Sequence, residues 1–134
     1  LFSVTSFTNL AREAQEVNRW NLLHPSEESK TSYVSQVLGE NDNDIVVAAT
    51  DYMKSYAEQI RAYVSGSYQV LGTDGFGRSD SRDNLRAHFE VSASFIVISV
   101  LSELVKKSIL DKNILEDAML KYDIDPEKAS PLNS

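Results

Sequence analysis

The order of segments along this 134-residue chain predicts an α/β protein, a three-layer α/β/α sandwich around a mostly parallel sheet. Residues 45–50, Ile-Val-Val-Ala-Ala-Thr, form a short unbroken apolar run bounded by turn residues, as in a strand covered on both faces. Residues 68–71, Tyr-Gln-Val-Leu, give a second such strand. Between and after them apolar residues recur at helical spacing. Strands that alternate with helices pair in parallel, and the helices must cover both faces of the sheet.

Taken in order, residues 1–5 alternate in part and include the β-branched Val4 and Thr5, which predicts a short strand. Leu10, Ala14 and Val17 recur at helical spacing with Trp20 and Leu23 near the same stripe, and Thr8 or Asn9 is placed to cap that helix. Residues 24–30 read as a loop, since Pro25 biases His24 away from helix. Tyr33, Val34, Val37 and Leu38 predict a short helix stopped by Gly39, and the polar residues 40–44 a turn. After the first buried strand, Asp51 is placed to cap a helix carrying Tyr52, Tyr56, Ile60 and Tyr63 along one side. Ser65-Gly66-Ser67 ends it ahead of the second strand. Leu85 and Phe89 mark a short helix. Residues 91–107 mark a longer one, with Ile96, Val97, Val100, Leu101, Leu104 and Val105 inward. Asp111 caps a last helix bearing Ile114, Leu115, Ala118, Met119 and Tyr122, and the Ser/Pro/Asn tail is expected to fray.

Composition narrows the function classes. The length and the 42% hydrophobic content suit one globular domain, residues 1–134. A net charge of −7 argues against nucleic acid and anionic membrane as main partners. The absence of cysteine removes disulfides and thiolate chemistry and suits a cytoplasmic protein. No apolar run approaches the ~20 residues of a membrane-spanning helix, because residues 91–105 are interrupted by Ser92, Ser94, Ser99, Ser102 and Glu103. The chain opens on Leu1 rather than methionine, inside what reads as a core element, so a piece of a longer protein is expected.

The stretch most suggestive of a site is residues 72–90, with three glycines, four acids, three arginines and two serines. A dinucleotide fingerprint needs a third glycine, but Gly75-Phe76-Gly77 is followed by Arg78, Ser79 and Asp80, and Asp74, Asp80 and Asp83 repel anions. A phosphate loop needs Gly-Lys-Ser/Thr, and no Gly-Lys pair exists. A calcium loop starting at Asp74 would put Phe76 at a ligand position, and Asp42-Asn43-Asp44 lacks the following glycine and glutamate. His24 and His88 stand apart and outside any ligand pair. A strand-to-helix joint or an interface is the favoured reading over a ligand site. Gly72, Gly75 and Gly77 supply backbone freedom, and Ser79, Asp80 or Ser81 caps the next helix. Arg78, Arg82 and Arg86 are expected to pair with Asp80, Asp83 or Glu90, or with another surface. If Gly77 takes a positive φ, Gly77→Ala costs about 1 kcal/mol or more.

Val70-Leu71-Gly72-Thr73-Asp74-Gly75-Phe76-Gly77-Arg78-Ser79-Asp80-Ser81-Arg82 with Asn84-Leu85-Arg86 resembles the signature of the homodimeric bacterial pyruvate dehydrogenases. That family comprises the thiamine-diphosphate-dependent first components of the pyruvate dehydrogenase complex, themselves similar to transketolases. Ser3-Val4-Thr5-Ser6-Phe7, Leu10-Ala11-Arg12, Arg19-Trp20-Asn21 and Leu23-His24-Pro25 follow the same pattern. So do Ala49-Thr50-Asp51-Tyr52-Met53-Lys54, Ala57-Glu58-Gln59 and Ile124-Asp125-Pro126-Glu127-Lys128.

The resemblance implies a transketolase-like C-terminal domain, the last of three α/β domains, lacking its first strand and helix. An uncovered sheet edge would then make this piece less stable than the whole domain. The parent enzyme would decarboxylate pyruvate and transfer acetyl to a lipoyl group. Its thiamine diphosphate and magnesium would lie between the first two domains, so none is bound by this chain, which lacks the Gly-Asp-Gly…Asn diphosphate motif. No catalytic, cofactor-binding or metal residue is then expected here, and the isolated chain would be inactive. Asp74, Gly75, Phe76, Gly77, Arg78, Ser79 and Asp80 would form a structural turn or interface. The implied partners are the remaining domains of the same enzyme, the homodimer partner and the lipoyl acyltransferase component, with neither nucleic acid nor membrane. The competing reading is a non-catalytic interaction module of the same fold. Another transketolase-like enzyme fits less well, because transketolases carry small residues where this chain has Gly77-Arg78-Ser79-Asp80-Ser81-Arg82.

Overall fold

A computed structural model describes residues 1–39 and 41–134, in the order α1 (Phe7–Leu23), α2 (Tyr33–Leu38), β1 (Ile45–Ala49), α3 (Lys54–Glu58), a 3-10 turn (Arg61–Tyr63), β2 (Ser67–Leu71), α4 (Arg82–His88), α5 (Ala93–Lys106) and α6 (Lys112–Lys121). The fold is of the α/β class. β1 and β2 pair side by side. Ser67 N donates to Asp44 O and Thr50 N to Leu71 O, so residue numbers rise together along both strands and the pair is parallel. Residues 1–5 form no strand. Leu1, Phe2 and Val4 are exposed, and alternation without a neighbour to complete the hydrogen bonds does not make a strand. β1, expected to be covered on both faces, is only half-buried, and β2 buries alternate residues, Tyr68 and Val70. Of the expected turn at 40–44, Glu40 lies outside the described residues; in the remainder Asn41 O accepts from Asp44 N and Asn41 Oδ1 from Asn43 N.

The chain divides into two compact units. The first comprises Leu1–Val46 and Ser55–Tyr68. Here α1 begins earlier than expected, because Ser6 rather than Thr8 or Asn9 is the cap: its Oγ accepts from Asn9 N at 3.1 Å. The small buried Ala11 and Ala14 let α2 pack against α1. Ser32 caps α2 through Ser35 N, and Gly39 ends it. The helix expected from Asp51 to Tyr63 is interrupted. Its turns are split between α3 and the 3-10 turn, and of the expected stripe only Ile60 is buried, while Tyr52 and Tyr56 are exposed. Arg61 bridges the interruption with two bonds to the Glu58 carboxylate and a third, 2.7 Å, to Tyr68 O. The Tyr68 hydroxyl donates to Ala57 O at 2.8 Å, satisfying a carbonyl near the end of α3.

The second unit comprises Val47–Lys54 and Gln69–Ser134. Residues 82–106 would be long and apolar enough to cross a bilayer as one helix. The structure breaks the run between α4 and α5, where Glu90 takes φ 62°. The 14 residues of α5 span about 21 Å, short of the ~30 Å hydrocarbon core. α5 and α6 pack together, yet the apolar residues expected inward on α5 are only half-buried and Val97 is exposed. The one buried side chain on α5 is Glu103, whose Oε1 accepts from Gln69 Nε2 and Lys106 Nζ. Asp111 stands at the N-cap of α6, but its carboxylate makes no capping bond.

α4, α5 and α6 end alike. Glu90, Ser108 and Asp123 take positive φ. The following amides, Val91, Ile109 and Ile124, reach back to Arg86 O, Leu104 O and Met119 O. These are Schellman caps built without glycine, which is why no glycine signalled them.

Candidate functional site

The glycine-rich loop leaves β2 and returns into α4 inside the second unit. Gly72 is buried against the backbone ahead of α3: a Cβ there would lie 2.8 Å from Lys54 N and 2.9 Å from Tyr52 O. This is close approach rather than unusual φ. Thr73 N donates to Tyr52 O, and its hydroxyl donates to Asp51 O at 2.8 Å. Asp74 Oδ1 then accepts from Lys54 N at 3.0 Å, the first amide of α3. Asp74 therefore supplies, from 20 residues away, the cap that local reading assigned to Asp51. Asp51 instead pairs with Arg86 at 3.3 Å.

Gly75 turns the chain at φ 121°, with the Pro131 carbonyl where a Cβ would stand. Side chains are excluded there twice, by conformation and by space. Gly77 differs: its φ is not in the left-handed region and a Cβ would meet nothing. The expectation that Gly77 is a constrained turn residue is thereby corrected, and Gly75 and Gly72 carry that role. Phe76 between them is 75% exposed.

Entering α4, the choice among Ser79, Asp80 and Ser81 falls on Ser81, whose Oγ accepts from Asn84 N at 3.3 Å. Asp80 supports it by accepting from Ser81 N at 2.7 Å and Asn84 Nδ2 at 2.8 Å. The Asn84 bond, then the Ser81 amide and the nearby Arg78, hold the Asp80 carboxyl below its ordinary range. The arginines do not find the acids expected of them. Arg78 Nη1 lies 3.2 Å from His88 Nδ1, a bond that needs that nitrogen unprotonated, and Arg86 turns to Asp51. The pairs form across the loop and not along it.

Together these residues line an open cavity of about 540 Å³. Phe76, Leu85, Phe89 and Val91 give it apolar walls, with Arg78, Arg82 and Arg86 among its polar lining. Gly75, Gly77 and Asp80 also line it, whereas Asp74 is spent on the α3 cap and exposed Ser79 takes no part. A second cavity of about 440 Å³ lies in the first unit among Phe2, Val4, Leu10, Glu13, Tyr33 and Val37.

At the start of α4 the Asn84 amide is taken by Ser81, Asn84 Nδ2 by Asp80, and Asp83 occupies the same first turn. Among the described residues, no three His, Asp or Glu side chains converge on a metal position. Sequence reading missed Lys54, Asp51 and Pro131 as partners of the loop. Their only signal is spatial.

Comparison with known proteins gives the family. Residues 1–92 match the transketolase-like TK C-terminal domain. Over 132 residues, 98% of the chain, it is 53% identical to the pyruvate dehydrogenase E1 component of Escherichia coli K12, and 54% to that of Buchnera aphidicola from Acyrthosiphon pisum. Over 134 residues it is 49% identical to that of Pseudomonas aeruginosa. The chain spans only 14% to 15% of the length of these relatives, and is homologous to the C-terminal part of a larger enzyme.

Proposed function

This chain belongs to the transketolase-like C-terminal domain family, and from that premise we propose that it is part of the C-terminal domain of a cytoplasmic pyruvate dehydrogenase. The whole enzyme uses thiamine diphosphate and magnesium, bound outside this chain, to decarboxylate pyruvate, and passes the acetyl group to the lipoyl group of an acyltransferase component. Residues 1–134 form one partial domain that packs in a homodimer and frames the approach to the active site without catalysis of its own. The observation that carries this reading is identity near 50% sustained over 98% of the chain. The loop from Asp74 to Asp80 is assigned to the interface. Its exposed Phe76 and its Arg78 are the residue types that anchor interfaces.

The test is an assay of the full-length protein carrying this chain. Pyruvate-dependent acetylation of a lipoyl domain, requiring thiamine diphosphate and magnesium, is expected. Its absence, or decarboxylation by residues 1–134 alone, overturns the reading. For the loop, Phe76→Ala is expected to weaken self-association by about tenfold or more in sedimentation. An unchanged dimer would leave the loop a structural turn.

A further inference from the structure

The tail beyond α6, expected to fray, is instead bonded at one point and packed at a second. Lys128 Nζ donates to Ala87 O at 3.1 Å, to His88 O at 2.7 Å and to Glu90 Oε1 at 3.2 Å. An ammonium has three donors, and all three are used on the C-terminal end of α4. The same group lies 5.6 Å from the centre of the Phe95 ring. A cation here satisfies the His88 carbonyl, shares the Ala87 carbonyl with the capping amides, and complements the negative end of the helix dipole. Three residues on, the Pro131 carbonyl sits against Gly75. Short bonds within the tail, Glu127 N to Asp125 Oδ1 and Asn133 N to Ser130 O, shape it between and beyond these points.

The two anchors bracket the candidate site. Lys128 is bonded to the far end of α4, and Pro131 packs against the bend of the loop that feeds the near end. We propose that residues 123–134 are a strap that fixes the Gly72–Ser81 loop and α4 as one unit, with Lys128 as its lock. Loss of the Lys128 charge, by substitution or by acylation of Nζ, frees the loop and changes how Phe76 is presented. Only the use made of the presented loop rests on the proposed function; the strap itself does not.

The experiment is limited trypsin digestion of the full-length protein, following the cut after Arg78, with hydrogen exchange at the Phe89, Glu90 and Val91 amides. In Lys128→Gln, both the cut and the exchange are expected to accelerate by about tenfold or more, the range of a lost charge-assisted hydrogen bond. Lys128→Arg restores the slow rates in part. Gly75→Ala, which pushes against Pro131 from the other anchor, accelerates the same cut. Rates in Lys128→Gln within about twofold of the parent overturn the strap, as does an acceleration spread equally over α1, which would mean general unfolding. Neither readout uses pyruvate, so failure here is distinct from failure of the enzymatic reading.

Discussion

The two units are held by different means. In the first, Ala11, Ala14, Val34, Ala57, Ile60, Val64 and Tyr68 are buried, so helices and turn share an apolar interior. In the second, only Val70 and Val91 are buried apolar residues, although α5 is the most apolar helix of the chain. Its order comes from polar ties: Thr73 to Asp51, Asp74 to Lys54, Arg86 to Asp51, Gln69 to Glu103, and Lys128 to the end of α4. Apolar burial is cumulative and insensitive to geometry, whereas hydrogen bonds fix position and contribute little net stability. The first unit therefore suits a scaffold. The second, with half-exposed apolar helices and a precisely tied loop, suits a surface completed by other parts of an assembly.

The sharpest way to break this contrast is to cut a cavity in each unit of the full-length protein. Ile60 is 1% exposed, and Ile60→Ala is expected to cost about 2–5 kcal/mol in denaturant unfolding. Val97 is 37% exposed, and Val97→Ala should cost less than about 1 kcal/mol. Equal losses would mean that α5 is as well buried in the assembly as Ile60 is in the first unit.

Next in size is the pair of loop glycines. Gly75→Ala is expected to cost about 1–3 kcal/mol, since φ 121° and the Pro131 carbonyl both oppose it. Gly77→Ala, facing open space, should change melting by less than about 0.5 kcal/mol. A reversal of that order would return the constraint to Gly77.

The scaffold has a pH signature. Burial, with the Glu58 charge adding and Arg61 opposing, pushes the Tyr68 hydroxyl from 10.0 to about 12. The folded state holds this proton more tightly than the unfolded chain, so the stabilisation is complete below pH 10 and is lost as pH rises toward 12. Tyrosinate absorbance should show one late-titrating tyrosine, and Tyr68→Phe should remove that part of the alkaline destabilisation.

Smaller effects mark the second unit. Ser108→Gly should stabilise by about 0.5–1 kcal/mol, read as a higher melting temperature, because it removes a side chain from φ 57°. Asp80, fully exposed, has the least to give. Its contribution is present above 3.8 and lost as pH falls through its lower folded value, so Asp80→Asn should flatten a shallow acid limb.

How much of this was legible beforehand follows the range of the interactions. α1, α2, α4 and α6 were readable because periodicity acts within one or two turns, and at α4 so does the cap: Ser81 serves an amide three residues on. The two strands were readable as apolar runs, and the run from Val70 to Arg82 carried the family resemblance. The break between α3 and the 3-10 turn was not readable, because Arg61 and Tyr68 complete it from further along the chain. Residues 1–5 misled because a strand is a property of a pair.

The candidate site divides in the same way. Sequence alone determined that a glycine-rich loop would join a strand to a helix capped near Ser81. Tertiary structure decided which glycine is strained, which acid caps α3, which partners the arginines take, and that the tail is seated rather than frayed. Each of those outcomes depends on groups 10 to 56 residues apart in the chain. No local propensity encodes such pairs; they exist only once packing has brought the groups within about 3 Å of one another.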